Sequence, residues 1–300
     1  MDKKKELATL GFVLLALVYF LPKGLLTPVN PDEASFDGLN VSAKCGSLKI
    51  QTASILENFS CVFMISSANG TQTVNYTLQG ISSGYLCAHE GLLLYAYFTS
   101  DSQSSMIFLD YNLSEKWRRE LPAYPLNYTG EGLILVSNPT FGSSGSSCVY
   151  VLNISTGRLS GWFCPDVLGG HVSDVKITGG RIYVTIGEPR RPPLETHALI
   201  YMKDGEKVKK AEITSISGEG VGIRLLIDAN EKYAVVSYFL ANERGDEKNG
   251  ICVFRAESLR KLACKEFKEG ERPTKVKLVG NIVYVQTTNG VKAYKIFSLW

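Results

Sequence analysis

The sequence predicts an all-β fold, a β-propeller of about six four-stranded blades, from two observations. First, a short apolar strand recurs at intervals of 41 to 51 residues along the 300-residue chain. A period of roughly 40 to 50 residues, with several strands in each unit, is typical of propellers. Second, the segments between the recurrences divide into further short strands with turn residues between them. The recurring strands begin after Gly91, Gly132, Gly180, Glu231 and Gly280.

An N-terminal membrane helix is expected ahead of the propeller. Three lysines at 3–5 precede an apolar run over residues 7–21, and Pro22 follows it. Cations before an apolar segment place the N-terminus in the cytoplasm and the rest of the chain across the membrane. Because no small-residue cleavage site follows, we predict an uncleaved signal anchor; a cleaved signal peptide and a buried soluble helix are the alternatives. The expected organisation is a cytoplasmic N-terminus at 1–6, an anchor at 7–26, a linker at 27–40 and an extracytoplasmic propeller at 41–300.

Potential N-glycosylation sites are concentrated in the first half of the chain. Seven Asn-x-Ser/Thr triplets lie within residues 40–155, and none follows. This clustering favours a cell-surface domain with N-glycans on its first half and contacts on its second half, although a Ser/Thr/Asn-rich composition alone is the alternative. The predicted acceptors are Asn40, Asn58, Asn69, Asn75, Asn112, Asn127 and Asn153.

The seven cysteines predict disulfides rather than a metal site, because none forms a Cys-x-x-Cys pair. Cys148 and Cys164 lie at equal distances from a turn at residue 156, and Cys252 and Cys264 flank a turn at 258 in the same way. Residues equidistant from a hairpin turn face each other, so each pair is predicted to form a disulfide; buried free thiols are the alternative. Two of three other cysteines should pair, and sequence does not choose among Cys45, Cys61 and Cys87.

The strand pattern divides the chain into successive blades. The clearest unit has predicted strands at 172–177, 182–186, 198–202 and 208–213, and the next has strands at 223–227, 233–239, 251–255 and 262–267. The first unit, at about 47–78, is the least regular, so five or seven blades remain alternatives. The last unit is one strand short. A propeller closes by borrowing a strand from the other terminus, and residues 48–54 are predicted to supply it.

Two stretches resemble the repeats of a known superfamily. One is Tyr150-Val151-Leu152-Asn153-Ile154-Ser155-Thr156-Gly157-Arg158 with Trp162, and the other is Phe108-Leu109-Asp110-Tyr111-Asn112-Leu113 with Trp117. They are similar to propeller repeats of the quinoprotein (pyrroloquinoline-quinone dehydrogenase-like) and WD40/YVTN-like superfamily. The resemblance implies the fold. It does not imply a cofactor, since the superfamily includes both enzymes and binding proteins.

No catalytic or metal-binding motif is evident. The histidines His89, His171 and His197 lack metal-ligand spacing, and no Asp-rich calcium loop occurs. Carboxylates from distant strands remain candidates for pairing: Asp110, Asp174 and Asp228. We therefore predict no cofactor and no metal, and the net charge of only +3 gives no case for nucleic acid.

The expected binding surface is formed by connections between second and third strands. Four of them, at 99–105, 138–147, 187–197 and 241–250, exceed a tight hairpin and should lie on one face. Within one of these, Arg190 and Arg191 are candidates for contact with an acidic partner. The predicted function is a membrane-anchored, extracytoplasmic protein-binding or scaffold module of a cell-surface or membrane complex. The alternatives are a quinoprotein-like or carbohydrate-active enzyme with a central-channel site, and a structural subunit of an extracellular filament or coat.

Overall fold

The chain folds into β-strands arranged as a propeller. The computed structural model describes residues 24–29, 45, 48–55, 59–67, 72–98, 103–130, 132–138, 145–167, 169–190, 194–218 and 220–298, and statements below concern these. They contain 23 strands in six antiparallel sheets, five with four strands and one with three. Within these ranges, no helix reaches the length and hydrophobicity that a membrane crossing requires. Of the helix predicted at residues 7–26, residues 7–23 lie outside the described residues.

Four consecutive blades each pair their strands in chain order. Blade 2 contains β5 (Ser82–Cys87), β6 (Leu92–Tyr97), β7 (Ser104–Leu109) and β8 (Glu115–Leu121); blade 3 contains β9 (Tyr124–Tyr128), β10 (Leu133–Ser137), β11 (Cys148–Leu152) and β12 (Leu159–Phe163). Blade 4 contains β13 (His171–Thr178), β14 (Arg181–Arg190), β15 (Glu195–Asp204) and β16 (Lys207–Ser217); blade 5 contains β17 (Gly220–Ala229), β18 (Tyr233–Asn242), β19 (Glu247–Arg255) and β20 (Lys261–Glu266). These blades agree with the predicted four-strand units.

The first and last blades differ from this pattern. Blade 1 contains β2 (Lys49–Ile55), β3 (Ser60–Ser66) and β4 (Thr73–Gln79). In blade 4, the outermost strand β16 packs on β18 and β19 of the next blade. In blade 1, β4 packs on β6 and β7 of the next blade in the same way, so β4 is the outermost strand of blade 1. Blade 6 contains β21 (Pro273–Val279), β22 (Ile282–Thr287), β23 (Gly290–Ser298) and, at its outer edge, β1 (Gly24–Val29).

The ring-closing strand comes from nearer the N-terminus than predicted. β1 pairs antiparallel with β23 from Gly24 opposite Ser298 to Val29 opposite Ala293. Residues 48–54, predicted for this role, instead pair with β3 in blade 1. Residues 24–26, assigned to the helix, and 27–29, assigned to the linker, also belong to β1. The apolar composition of these residues suits either the end of a helix or a strand. They form a strand because the otherwise unpaired edge of β23 is available for pairing.

The recurring apolar strand is the second strand of its blade: β6, β10, β14, β18 or β22. It lies between two blade junctions, so both of its faces are buried. In β6, Leu92 and Leu94 pack toward blade 1, whereas Leu93 packs toward blade 3. The burial of both faces explains why these segments are continuously apolar rather than alternating. Gly180 and Gly280 precede such strands with φ of 73° and 59°, values that favour glycine in the turn.

The core is divided into five apolar clusters, one at each described junction between neighbouring blades. Representative members are Phe63 and Leu94 (blades 1 and 2), Phe108 and Leu133 (2 and 3), Val149 and Val184 (3 and 4), Tyr183 and Val236 (4 and 5), and Val253 and Val283 (5 and 6). Blades are therefore held to their neighbours by interdigitated side chains.

Three disulfides link cysteines of blades 1 and 2, of blade 3 and of blade 5. The structure contains both hairpin disulfides that symmetry about the turns predicted, Cys148–Cys164 and Cys252–Cys264, each with Cα atoms 4.1 Å apart. The third joins Cys45 to Cys87, which resolves the choice left open by the sequence. Cys61 remains as a buried thiol, with its Sγ atom 3.3 Å from the Gly80 carbonyl oxygen.

Two of the four predicted long loops are mostly strand. The β14–β15 hairpin continues to Arg190 and resumes at Glu195, and the β18–β19 hairpin continues to Asn242 and resumes at Glu247. In the second hairpin, the Asn242 carboxamide oxygen accepts hydrogen bonds from the Arg244 and Asp246 amides, which shortens the turn. We call the projecting parts of these hairpins, residues 187–190 with 195–198 and 238–242 with 247–250, the upper hairpins.

Candidate functional site

The central channel is lined by the inner strands β9, β13, β17 and β21. It encloses a polar cavity of about 390 Å³. Two of the three aspartates considered from sequence meet there. Asp174 accepts hydrogen bonds from its own neighbour Val175 and from Ile227 of the next blade, at 2.8 and 2.9 Å. Asp228 repeats the arrangement one blade further on, accepting from Ala229 and Leu278. These carboxylates therefore fasten successive blades.

Two lysines that line the channel form ion pairs with one of these aspartates. Lys176 and Lys277 approach the Asp228 carboxylate at 2.9 and 3.8 Å. Burial raises the pKa of Asp174 to about 6, and the two backbone hydrogen bonds oppose that rise. Asp110 lies elsewhere, in the turn between β7 and β8, where it pairs with Lys116 at 2.8 Å. The polar lining leaves the alternative of a channel enzyme standing.

The three histidines do not form one site. His89 is exposed in the β5–β6 turn, and His171 begins β13. His197 is buried on β15, with its ring nitrogens 3.0 and 3.1 Å from carboxylate oxygens of Glu195 and Glu212. In the ranges that the structure covers, no group of three or more histidine, cysteine or acidic side chains is placed to hold a metal ion.

The upper hairpins carry the predicted partner-binding arginines. The Arg190 guanidinium lies 2.8 Å from the Glu188 carboxylate on the same strand, and Lys210 approaches that carboxylate at 4.0 Å. Arg191 lies outside the described residues. Arg272, which precedes β21, pairs with Glu247 of the second hairpin and stacks over the Phe239 ring at 4.7 Å. The charges of this surface are thus largely satisfied within the molecule.

The described glycosylation acceptors are all exposed, but their surroundings differ. Asn112 and Asn153 lie in turns between third and fourth strands, and Asn75 lies on the outer strand β4. Asn127 lines the central channel, and its carboxamide oxygen accepts a hydrogen bond from the Tyr128 amide. Asn40, Asn58 and Asn69 lie outside the described residues. Glycosylation of all seven remains a prediction.

A second cavity, which the sequence did not predict, opens on the side of the ring between blades 2 and 3. We call it the lateral groove. It has a volume of about 380 Å³. Its walls are formed by the end of β8 and by strands β10, β11 and β12. The apolar walls are Leu121, Pro122, Ala123, Leu135, Tyr150, Leu152 and Leu159, and the rim carries Arg119 and Arg158.

The floor beside the lateral groove is rigidly packed. Trp117 stacks on Phe108 with ring centroids 5.7 Å apart and donates its indole N–H to the Ile154 carbonyl oxygen at 2.6 Å. Its ring also covers Gly157, where an added Cβ would lie only 2.7 Å from the indole. Gly157 has a φ of 64°, so both the turn and the close approach require glycine.

The two rim arginines differ from their neighbours in having no ion-pair partner among the described residues. Arg118, on the opposite side of β8, pairs with Glu115 at 3.1 Å. Arg119 and Arg158 are exposed and line the apolar cavity instead. An unpaired guanidinium beside apolar walls is a favourable place for a carboxylate, since it offers planar, bidentate hydrogen bonding.

Trp162 extends the apolar surface beyond the groove. It lies opposite Tyr150 in the β11–β12 pairing and therefore shares the face that points toward blade 2. Trp162 and Leu159 are each 56% exposed. The Lys203 ammonium lies 5.6 Å from the Trp162 ring centre. Tryptophan, tyrosine and arginine are the residues enriched in the energetic centres of protein interfaces.

A difference in strand position explains why Trp162 is exposed whereas Trp117 is buried. Phe108 and Trp117 are paired, and the corresponding pair in blade 3 is Val151 with Gly161. Trp162 is therefore one residue later than the position equivalent to Trp117. Because successive side chains point to opposite faces, this shift turns its ring toward blade 2 and away from blade 4. The longer turn at residues 153–158, compared with 110–114, is the signal that sequence analysis overlooked.

Comparisons with known proteins identify no family for this chain. No protein-family model matches the chain, and no curated protein matches its sequence. The structure is similar to the β-propeller domain of the Trilobed protease from Pyrococcus furiosus (TM-score 0.48, 12% identity, covering 85% of this chain and 80% of that one). It is also similar to a europium-containing methanol dehydrogenase (0.44, 11%, 81% and 60%) and to BamB from Moraxella catarrhalis (0.35, 11%, 85% and 81%). The strand pairing establishes the propeller fold that the resemblance to quinoprotein-like repeats implied.

Proposed function

We propose that this chain is a membrane-anchored, extracytoplasmic propeller that binds a protein partner through the lateral groove. The observation that carries the proposal is the combination at one place of an apolar cavity, exposed Leu159 and Trp162, and two arginines without an ion-pair partner among the described residues. Exposed apolar surface of this kind marks interaction sites when it is contiguous and bordered by polar groups.

The compartment is supported by the cysteines. Six of the seven form disulfides, and such bonds persist mainly in oxidising environments. The apolar run at 7–21 after three lysines supports the anchor, and the clustered glycosylation triplets support export. A glycan at Asn153 would border the turn end of the groove and leave the side with Trp162 open.

The test uses the full chain in the membranes of its own cells. Membranes washed with alkaline carbonate should retain the protein, and affinity capture after mild solubilisation should recover a partner. The double variant Arg119→Glu with Arg158→Glu should lose that partner, whereas Arg190→Glu should keep it. Release by carbonate would refute the anchor, and equal recovery with both variants would refute the groove.

A further inference from the structure

The outer edge of blade 3 lacks the protection that the other outer strands carry. An outermost strand exposes unpaired N–H and C=O groups, and proteins usually blunt such edges with charges, proline or covering elements. The strands β8, β16 and β20 are rich in lysine, arginine and glutamate, β1 contains Pro28, and β4 carries the predicted glycan acceptor Asn75. In contrast, β12 (Leu159–Phe163) has neither charge nor proline.

The free edge of β12 already accepts a donor from outside its sheet. The Lys203 ammonium, on blade 4, donates to the Trp162 carbonyl oxygen at 2.9 Å. That carbonyl is therefore accessible from the side away from β11. At Gly161, an added Cβ would meet no atom within 4 Å, so the face of the sheet at this residue is also uncovered among the described residues. A strand placed beside β12 would meet no charged side chain of β12 itself, and it would take the place of the Lys203 ammonium at the Trp162 carbonyl oxygen.

A strand added at this edge would point every second side chain toward the lateral groove. Side chains on one face of a sheet recur every second residue, and Leu135, Tyr150 and Trp162 form one row on the groove side. An added strand extends that row by one position, next to Trp162 and Leu159. Apolar residues suit this face, and acidic residues flanking them would reach Arg119 and Arg158.

We infer that the partner contributes an extended, acidic segment that joins blade 3 as a fifth strand beside β12, with its alternate apolar side chains on Trp162 and in the lateral groove. This inference rests on the proposed function and specifies the chemistry of its partner. It is strand addition: main-chain hydrogen bonds give affinity, and the pockets for alternate side chains give specificity. Displacing the Lys203 contact from the Trp162 carbonyl is part of binding.

The experiment selects peptides without knowledge of the partner. A library of random twelve-residue peptides displayed on phage is panned against the full chain in detergent micelles, with counter-selection on the Arg119→Glu/Arg158→Glu variant. The selected peptides should be acidic, with apolar residues at alternate positions. A synthetic peptide of the leading sequence should bind at least tenfold more weakly to that double variant and equally to Arg190→Glu, the matched control.

Backbone methylation of the synthetic peptide tests the strand geometry. N-methylation removes an amide donor, and a strand paired along one edge uses alternate amides only. Methylation at alternate positions should therefore reduce binding at least tenfold, while methylation at the intervening positions should have little effect.

Three results would overturn the inference: selected peptides with apolar residues at helical spacing, affinity unaffected by the Arg119→Glu/Arg158→Glu variant, or no alternation in the methylation series. Matching thermal unfolding of the variants establishes that they are folded, and Arg119→Gln with Arg158→Gln serves as the milder pair. The proposed function fails separately, if the full chain captures no protein from membranes or captures it independently of Arg119 and Arg158.

Discussion

The lateral groove and the upper hairpins illustrate two ways in which a propeller can present a surface. The upper hairpins carry many charges, yet Arg190 and His197 have acidic partners within the molecule and Glu247 pairs with Arg272. The groove is a recess, but its two arginines lack ion-pair partners among the described residues, and Leu159 and the adjacent Trp162 are exposed to solvent. The two surfaces therefore differ in how far their charged groups are already paired within the described residues.

The largest expected effect comes from the disulfide beside the groove. Replacing Cys148 and Cys164 with serine should lower the free energy of unfolding by about 3 kcal/mol in the chain-entropy model and weaken partner capture, because β12 loses its covalent tie to β11. Urea unfolding measures the first effect and affinity capture the second.

The Cys252→Ser/Cys264→Ser variant provides the matched control on blade 5. Its loop is of similar size, with a sequence separation of 12 against 16, so a comparable loss of stability is expected. Partner capture should remain unchanged. Equal loss of capture in both variants would mean that global stability, rather than the groove, controls binding.

The free energy of unfolding should also depend on pH, by about 3 kcal/mol in total, through Asp174, which joins blades 4 and 5. Burial raises the pKa of Asp174 from 3.8 to about 6, so the native state takes up its proton before the unfolded state does. The contribution of Asp174 is fully present below pH 4 and is lost as the pH rises through 6. Urea unfolding should show a gain in stability of about 1.3 kcal/mol between pH 7 and 5, with the rest at lower pH, and Asp174→Asn should lack this gain.

Asp110 gives the opposite sign on blade 2. The hydrogen bond from Lys116 lowers the pKa of Asp110, so its stabilisation is present at neutral pH and lost as the pH falls through the lowered value. Asp110→Asn should therefore reduce the loss of unfolding free energy that occurs at acid pH. A pH profile that responds identically to both substitutions would contradict the separate roles assigned to these carboxylates.

The binding energy of the groove should be concentrated at Trp162. Removing an exposed tryptophan at the centre of an interface typically costs about 2 kcal/mol, so Trp162→Ala should weaken partner binding about 30-fold. Val208, which is 50% exposed on β16, supplies the control: Val208→Ala should leave binding unchanged. Surface plasmon resonance with the captured partner measures both.

The smallest effect is expected on the upper hairpins. Arg190→Glu breaks an exposed ion pair with Glu188, and such pairs contribute about 0–1 kcal/mol. Stability should change within that range and partner binding should not change. A tenfold loss of partner binding would transfer the site from the groove to the hairpins, as the sequence interpretation expected.

Periodicity predicted most of the propeller because a strand buried on both faces must be apolar throughout, and the predicted strands at 172–177, 182–186 and 198–202 lie within β13, β14 and β15. Ring closure by β1 could not be predicted, since a short apolar strand beside Pro28 reads equally well as the end of a helix. The groove was missed for a different reason. Trp162 was recognised as a repeat residue, and its exposure depends on a one-residue shift of β12 that only the strand pairing reveals.

Site-specific photo-crosslinking tests the central claim most directly. A benzophenone amino acid is placed at position 162 in one full-length protein and at position 190 in another, and both are irradiated in intact membranes. The account predicts a single crosslinked protein from position 162, abolished by Arg119→Glu with Arg158→Glu, and none from position 190. A partner crosslinked from position 190 and not from 162 would contradict it.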